Sequence, residues 1–185
     1  YKAYYEYHGF PAEETVEIKE GRRWHEILEE EHRRKANMKV SIKDSFRISK
    51  EENLLIIFRE VPVEEETLYG KIDEVWVSPS SVVVMDDKPK LNFGYKLQVI
   101  GYAYAFLKNY EPDRPIVMGI RRRENKQFLW YEAFERKHKI ILKKYIEKVL
   151  SVINGEKINW KIDRRRCIKC KYRKICRFRH SIQLR

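Results

Sequence analysis

The stretch Leu68-Tyr69-Gly70-Lys71-Ile72-Asp73-Glu74-Val75-Trp76-Val77-Ser78-Pro79-Ser80-Ser81-Val82-Val83-Val84-Met85-Asp86-Asp87-Lys88 decides the fold. Residues 68–77 alternate, with Ile72, Val75 and Val77 apolar, which predicts a half-buried strand. Pro79-Ser80-Ser81 is a turn signal. Ser81-Val82-Val83-Val84-Met85 is an apolar run of the kind found in buried strands, and it passes directly into Asp86-Asp87-Lys88. Strands joined by so short a turn are expected to pair antiparallel, which would bring Asp73 close to Asp86. Asp86 and Lys88 are two apart, so they point to the same side of their strand.

Upstream, Ser45–Ser49 alternates through Phe46 and Ile48, and Leu54–Val61 is denser in apolar residues, so 44–88 as a whole reads as a β-meander. From Ala12 to about Ala36 the pattern is helical, with Trp24, Ile27 and Leu28 on one face and Gly21 interrupting it. Downstream, Asn92 can cap a helix running to about Lys108, with Phe93, Leu97, Ile100, Tyr104 and Leu107 as its core stripe. Glu111-Pro112-Asp113-Arg114-Pro115 breaks that helix. Ile116–Arg121 and Gln127–Phe134 predict two further strands, followed by a long amphipathic helix over Arg136–Ile153. Asn154-Gly155 ends it, glycine suiting the left-handed position past a helix C-terminus. The order predicts a mixed α/β fold with a central sheet flanked by helices. A core is expected over 1–155 and a basic, cysteine-bearing tail over 156–185, packing back on it.

The chain has 185 residues, enough for one domain with a small appendage. At 43% hydrophobic it is not disordered by composition. A net charge of +12 favours a polyanionic partner, nucleic acid being the commonest. That charge is concentrated: eleven Lys or Arg against the single acid Asp163 between Lys161 and Arg185, and a second cluster at Arg121-Arg122-Arg123. No apolar run is long enough to span a membrane, and no secretory leader is visible. Three cysteines within ten residues do not resemble a secreted disulfide framework, so an intracellular, cytoplasmic protein is expected.

Asp73, Asp86 and Lys88 carry the chemistry. Two carboxylates converging at about 4 Å repel unless a cation lies between them. Mg²⁺ or Mn²⁺ fits, because it takes hard oxygen ligands and keeps several waters. Such an ion would activate a water and brace phosphoryl oxygens. Lys88 would stabilise the charge that builds on the phosphate. Against this stands the plainer view that the two aspartates are surface acids and Lys88 is solvated, since D-x-K alone is a weak signal.

The surrounding residues strengthen the signal. Gly70-x-Ile72-Asp73 followed by Asp86-x-Lys88 resembles motifs II and III of RecB-like PD-(D/E)XK nucleases. Gly21-Arg22-Arg23-Trp24-His25 is similar to that family's G-x-x-x-H motif, and Gln98-x-x-x-Tyr102 to its Q-x-x-x-Y motif. Gln98 and Tyr102, four apart, share one helical face. The resemblance implies a restriction-endonuclease-like core and metal ligands His25, Asp73, Asp86 and the backbone carbonyl of Asp87. It also implies Lys88 in catalysis and contact of Gln98 and Tyr102 with the DNA backbone. Arg121, Arg122 and Arg123 are expected to grip the strand with them.

Cys167-x-x-Cys170-x5-Cys176 has spacing suited to a metal, either Zn²⁺ or an iron–sulfur cluster. It resembles the C-terminal part of the iron–sulfur staple of RecB-like nucleases, in which a fourth cysteine lies before the G-x-x-x-H helix and the cluster ties the two chain ends across the core. The resemblance implies a 4Fe–4S rather than a 2Fe–2S cluster. This chain has no cysteine before Cys167, which leaves the fourth ligand open, with His8 and His180 as possible substitutes. A small cluster-bearing nuclease of this kind most resembles the CRISPR-associated exonucleases of spacer acquisition. That implies a metal-dependent DNA exonuclease acting on single-stranded ends or overhangs, with CRISPR adaptation proteins as partners; a DNA-repair role is the neighbouring option. Two rivals stay open. One is a non-catalytic nucleic-acid-binding or assembly subunit with a zinc-ribbon-like tail. The other is an RNA nuclease, since nothing in the motifs reads the 2′-hydroxyl.

Overall fold

Five strands form one sheet in the order β1-β2-β3-β4-β5: β1 (Ile56–Glu65), β2 (Leu68–Val77), β3 (Val82–Lys88), β4 (Ile116–Arg122) and β5 (Phe128–Ala133). The structure is a computed structural model that describes residues 40–155, together with 6–9, 11, 14, 19, 23, 170–172, 174 and 175. The helix expected over 12–36 lies outside the described residues. The chain divides into two compact units, Glu29–Lys143 and one made of both chain ends, Tyr1–Leu28 with Lys144–Arg185.

Within the first unit β1, β2 and β3 form the expected meander, each pair antiparallel. β3 then pairs in parallel with β4, with Asp86 beside Ile120 and Asp87 beside Arg121, and β4 pairs antiparallel with β5. A parallel neighbour requires a long crossover. That crossover is helix α2 (Phe93–Tyr110), so the fold is mixed α/β with helices flanking a mixed sheet. Asn92 caps α2 as expected, its side-chain oxygen accepting from the Tyr95 N–H at 2.9 Å.

The buried face of α2 differs from the expected stripe. Phe93 is exposed, and of the five residues named only Ile100 is buried. Val99, Gly101, Ala103, Ala105 and Phe106 are buried with it. Small residues let the helix backbone approach its neighbours: Gly101 lies against Leu68 of β2 and Leu142. The large side chains of the expected stripe would hold it off.

The strand expected over 45–49 is helix α1 (Ile42–Glu51). Ser41 caps it, accepting from the Asp44 N–H at 3.0 Å while its own hydroxyl donates to the Asp44 carboxylate. Ser45 and Ser49 are buried on the inner side beside Phe46 and donate back to the Ile42 and Phe46 carbonyls. Arg114 fixes this helix to the sheet. Its guanidinium, buried, donates to Ser49 Oγ at 2.7 Å, to the Ser78 carbonyl at 2.5 Å and to the Phe46 carbonyl.

The outer edge of β1 is satisfied by a side chain. Asn109 of α2 accepts from the Glu64 N–H at 3.0 Å and donates to the Glu64 carbonyl at 2.7 Å. The final helix, α3 (Arg136–Ile153), has the expected bounds and ends at Gly155 with φ +79°. In the unit formed by the chain ends, His8 Nε2 lies 3.3 Å from the Ile153 carbonyl, and Lys171 pairs with Glu6 at 2.9 Å. No described helix is long and apolar enough to cross a membrane.

Candidate active site

The pleat of β2 reverses where the acid sits. Leu68 and Gly70 lie toward α2, against Gly101 and Tyr102. A strict alternation would send Asp73, Val75 and Val77 the other way, yet all three are buried along with Ile72. In β1 the more enclosed positions shift at the same level, from half-buried 56 and 58 to buried 61 and 63. Between them Glu60 has φ +50°, a left-handed backbone that costs a non-glycine residue about 1 kcal/mol or more. Glu60 faces Asp73 across the pair, since its neighbours pair as Arg59 with Glu74 and Val61 with Ile72. Irregularities of this kind re-aim side chains beside functional sites.

The re-aimed Asp73 meets the end of β3. Its Oδ2 accepts from the Asp87 backbone N–H at 2.8 Å, and its carboxyl shares a hydrogen bond with that of Asp86. Asp86 is 1% exposed, and its Oδ2 lies 2.9 Å from Lys88 Nζ. That contact is charge against charge without hydrogen-bond alignment, leaving Asp86 Oδ2 a buried oxygen with no hydrogen bond. Lys88 also lies over the Tyr95 ring of α2, 5.2 Å from its centre.

Burial, and then the neighbouring Asp86, push the Asp73 carboxyl up to about 8 from an ordinary 3.8. Without a cation the Asp73 carboxyl keeps its proton at neutral pH. The donor set fits a hard divalent ion. It offers two adjacent carboxylates, one with an oxygen lacking a hydrogen bond, on a strand end whose carbonyls are hard oxygens too. Among the described residues, no group of three or more His, Cys, Asp or Glu side chains converges on one point. Mg²⁺ suits such a site, since it is commonly held by one or two carboxylates and keeps its waters.

Gln98 and Tyr102 reach the same place from α2. Gln98 Nε2 donates to Tyr102 Oη at 2.8 Å. Burial, with the charges of Asp86, Asp73 and Glu60 against it, pushes the Tyr102 phenol up to about 12. Gly70 makes the approach possible: a Cβ there would fall 2.8 Å from Tyr102 Cε1.

The basic cluster divides. Arg122 is exposed and Arg123 half-buried. Arg121 is 6% exposed, forked onto Asp87 at 3.0 and 3.3 Å, paired with Glu74 at 2.9 Å and stacked over Trp76. The expectation that Arg121 grips a nucleic-acid strand is therefore corrected: its guanidinium is consumed inside the protein. Its interior partners Glu74 and the Asp87 side chain, and Glu60 beside Tyr102, went unmarked in the sequence. Acids at three neighbouring levels of apolar strands were the available signal.

His25, Cys167, Cys176 and His180 lie outside the described residues. Cys170 is a half-buried free thiol beside Lys171.

No curated protein matches the chain. Among solved structures it is similar to the crystal structure of SSO0001, at 15% identity over 85% of this chain and 68% of that one, TM-score 0.43. It is also similar to a candidate exonuclease from Eubacterium rectale, at 13% identity over 84% and 74%, TM-score 0.43. A sequence model of the PD-(D/E)XK nuclease superfamily matches residues 2–177. With that match spanning nearly the whole chain, and with Asp73, Asp86 and Lys88 gathered on two adjacent strands, the chain belongs to the PD-(D/E)XK nuclease superfamily.

Proposed function

We propose that this nuclease is a metal-dependent deoxyribonuclease that trims single-stranded DNA ends, with Asp73 and Asp86 as metal ligands and Lys88 as the catalytic cation. One observation carries the reading: the buried carboxyls of Asp73 and Asp86 meet across β2 and β3, with the Lys88 ammonium 2.9 Å from the second. The arrangement is costly to fold and becomes favourable when a divalent cation replaces the proton. Bound Mg²⁺ or Mn²⁺ would supply Lewis-acid polarisation of a phosphoryl oxygen and an activated water.

The chain's own groups do the rest. Asp73 is held by the Asp87 N–H, which fixes the direction of its carboxyl. Lys88 sits on the same side of β3 as Asp86, placed to neutralise charge building on the phosphate. Tyr102, accepting from Gln98, keeps its own O–H free to donate to a phosphate oxygen. Arg122 and Arg123, at the β4–β5 turn, would hold the backbone beyond. Such contacts bind without reading sequence. His25, in a G-x-x-x-H pattern, is proposed as a further ligand, as is the Asp87 carbonyl.

The cysteines belong to a second proposal, an iron–sulfur cluster held by Cys167, Cys170 and Cys176 with one ligand from elsewhere. Its support is the C-x-x-C-x5-C spacing and the grouping of both chain ends in one unit, where Glu6 pairs with Lys171 next to Cys170. The same motifs are the basis for placing the enzyme in CRISPR spacer acquisition, with adaptation proteins as partners.

The test is digestion of end-labelled single-stranded and duplex DNA with EDTA, Mg²⁺ or Mn²⁺. Asp86→Ala and Lys88→Ala are expected to lose cleavage, by about 10²-fold or more, while keeping a folded circular dichroism spectrum. Wild-type cleavage by either variant overturns the assignment. DNA binding with no metal-dependent product would favour a non-catalytic binding subunit. Iron and acid-labile sulfide analysis of anaerobically purified protein decides cluster against zinc.

A further inference from the structure

Asp87, the middle residue of Asp86-Asp87-Lys88, points to the face of the sheet opposite Asp86 and is completely enclosed there. Its side chain is 0% exposed, yet it carries a carboxylate that meets two cations. Arg121 forks onto both oxygens from β4, and Lys126 Nζ reaches Oδ2 at 2.6 Å from the β4–β5 turn. Arg121 is anchored in turn by Glu74 at 2.9 Å and by the Trp76 ring, and Trp76 donates to the same Glu74 oxygen. Lys126 reaches inward from a left-handed backbone, φ +59°, at the tip of the turn.

Enclosed ion pairs seldom stabilise more than apolar side chains of the same volume would. What they supply is direction, because a fork and a carboxylate fit in one geometry. Here the fixed element is the backbone at 87. Its N–H holds Asp73 at 2.8 Å, and its two neighbours are Asp86 and Lys88.

We infer that Arg121 and Lys126, clamping the Asp87 side chain from behind the sheet, are positioning residues that set the orientation of the Asp73–Asp86 pair for a divalent cation. The clamp also ties that pair to the turn bearing Arg122 and Arg123. This rests on the metal-site reading above.

The experiment measures Mn²⁺ affinity of the full chain after EDTA treatment, by titration calorimetry and by loss of the free Mn²⁺ electron paramagnetic resonance signal. Wild type is compared with Asp86→Ala, Arg121→Lys and Lys126→Met. Changes behind the ligands of a metal site commonly weaken binding by about 10–100-fold. A loss of that size is expected in both clamp variants, along with faster amide exchange at Asp87 in the metal-free protein. Arg121→Lys keeps the charge and loses the fork, so a merely charge-balancing Arg121 would be rescued by it. Wild-type affinity in both clamp variants, with Asp86→Ala unable to bind, overturns the clamp and leaves the nuclease reading standing. Absence of Mn²⁺ binding by the wild type overturns both. Should Arg121→Lys not fold, Lys126→Met alone decides, since its side chain is part-exposed and its removal opens no core cavity.

Discussion

Replacing Asp73 by asparagine should stabilise the metal-free protein while disabling it, and the gain should depend on pH. The Asp73 carboxyl titrates at about 8 in the folded protein against 3.8 ordinarily. A folded pKa raised above the unfolded one contributes stability that is full below the unfolded value and is lost as pH rises through the folded value. Between pH 5 and pH 7 the unfolded side chain is ionised while the folded one keeps its proton. The wild type therefore loses about 1.4 kcal/mol per pH unit relative to a non-ionising variant, or about 3 kcal/mol over that interval. Asparagine keeps an oxygen for the Asp87 N–H and an amide for Asp86, so little else changes. For a chain of this length the difference in melting temperature between variant and wild type should widen by about 5–10 °C from pH 5 to pH 7. The assay is thermal unfolding by circular dichroism in EDTA across that range. Adding Mn²⁺ at a hundredfold excess over Kd should offset most of that difference, since only the wild type gains from binding, by about 2.7 kcal/mol. A variant-minus-wild-type difference that stays flat with pH, or narrows, would refute the argument that Asp73 is a desolvated acid awaiting a cation.

Gly70→Ala should destabilise by about 1–3 kcal/mol and reduce cleavage, because its methyl meets the Tyr102 ring; a denaturant double-mutant cycle with Tyr102→Ala should show coupling, and strict additivity would count against that contact. Arg122→Ala should weaken DNA binding across all sequences and lower the salt slope by about one, as read by anisotropy titrations at several salt concentrations. Arg121→Ala should instead destabilise by about 3–5 kcal/mol in urea unfolding, since it strands enclosed carboxylates. Ser41→Ala should cost about 1 kcal/mol by the same measurement, through loss of the α1 cap.

The bounds of β2, α2's capped start and α3 were legible because each rests on local signals: a period, an Asn before a helical run, a Gly after one. The acid pair was legible because one short turn separates its strands. α1 was not. Phe46 and Ile48 alternate over a window too short to separate a strand from a helix. The deciding facts are the Ser41 cap and the buried serine hydroxyls, whose partner Arg114 lies far along the chain. The burial of α2 was misjudged for a related reason. A hydropathy stripe favours large side chains, whereas contact with the sheet selected Gly101 and Ala103. Arg121 looked like a surface cation because it stands in a run of three. Only the parallel register of β3 on β4 brings it opposite Asp87, and no local pattern encodes a crossover partner.

The amide of Asn109 stands in for one residue of a missing strand, offering both a donor and an acceptor to Glu64. Among the described strands β1 has a partner on one side only, and such borders are templates for unwanted cross-chain pairing. A side chain borrowed from the crossover helix plugs that template at the hairpin end, and charged Glu64 and Glu65 stand beside it. The same helix that brings Gln98 and Tyr102 toward Asp73 and Asp86 thereby also covers part of this border.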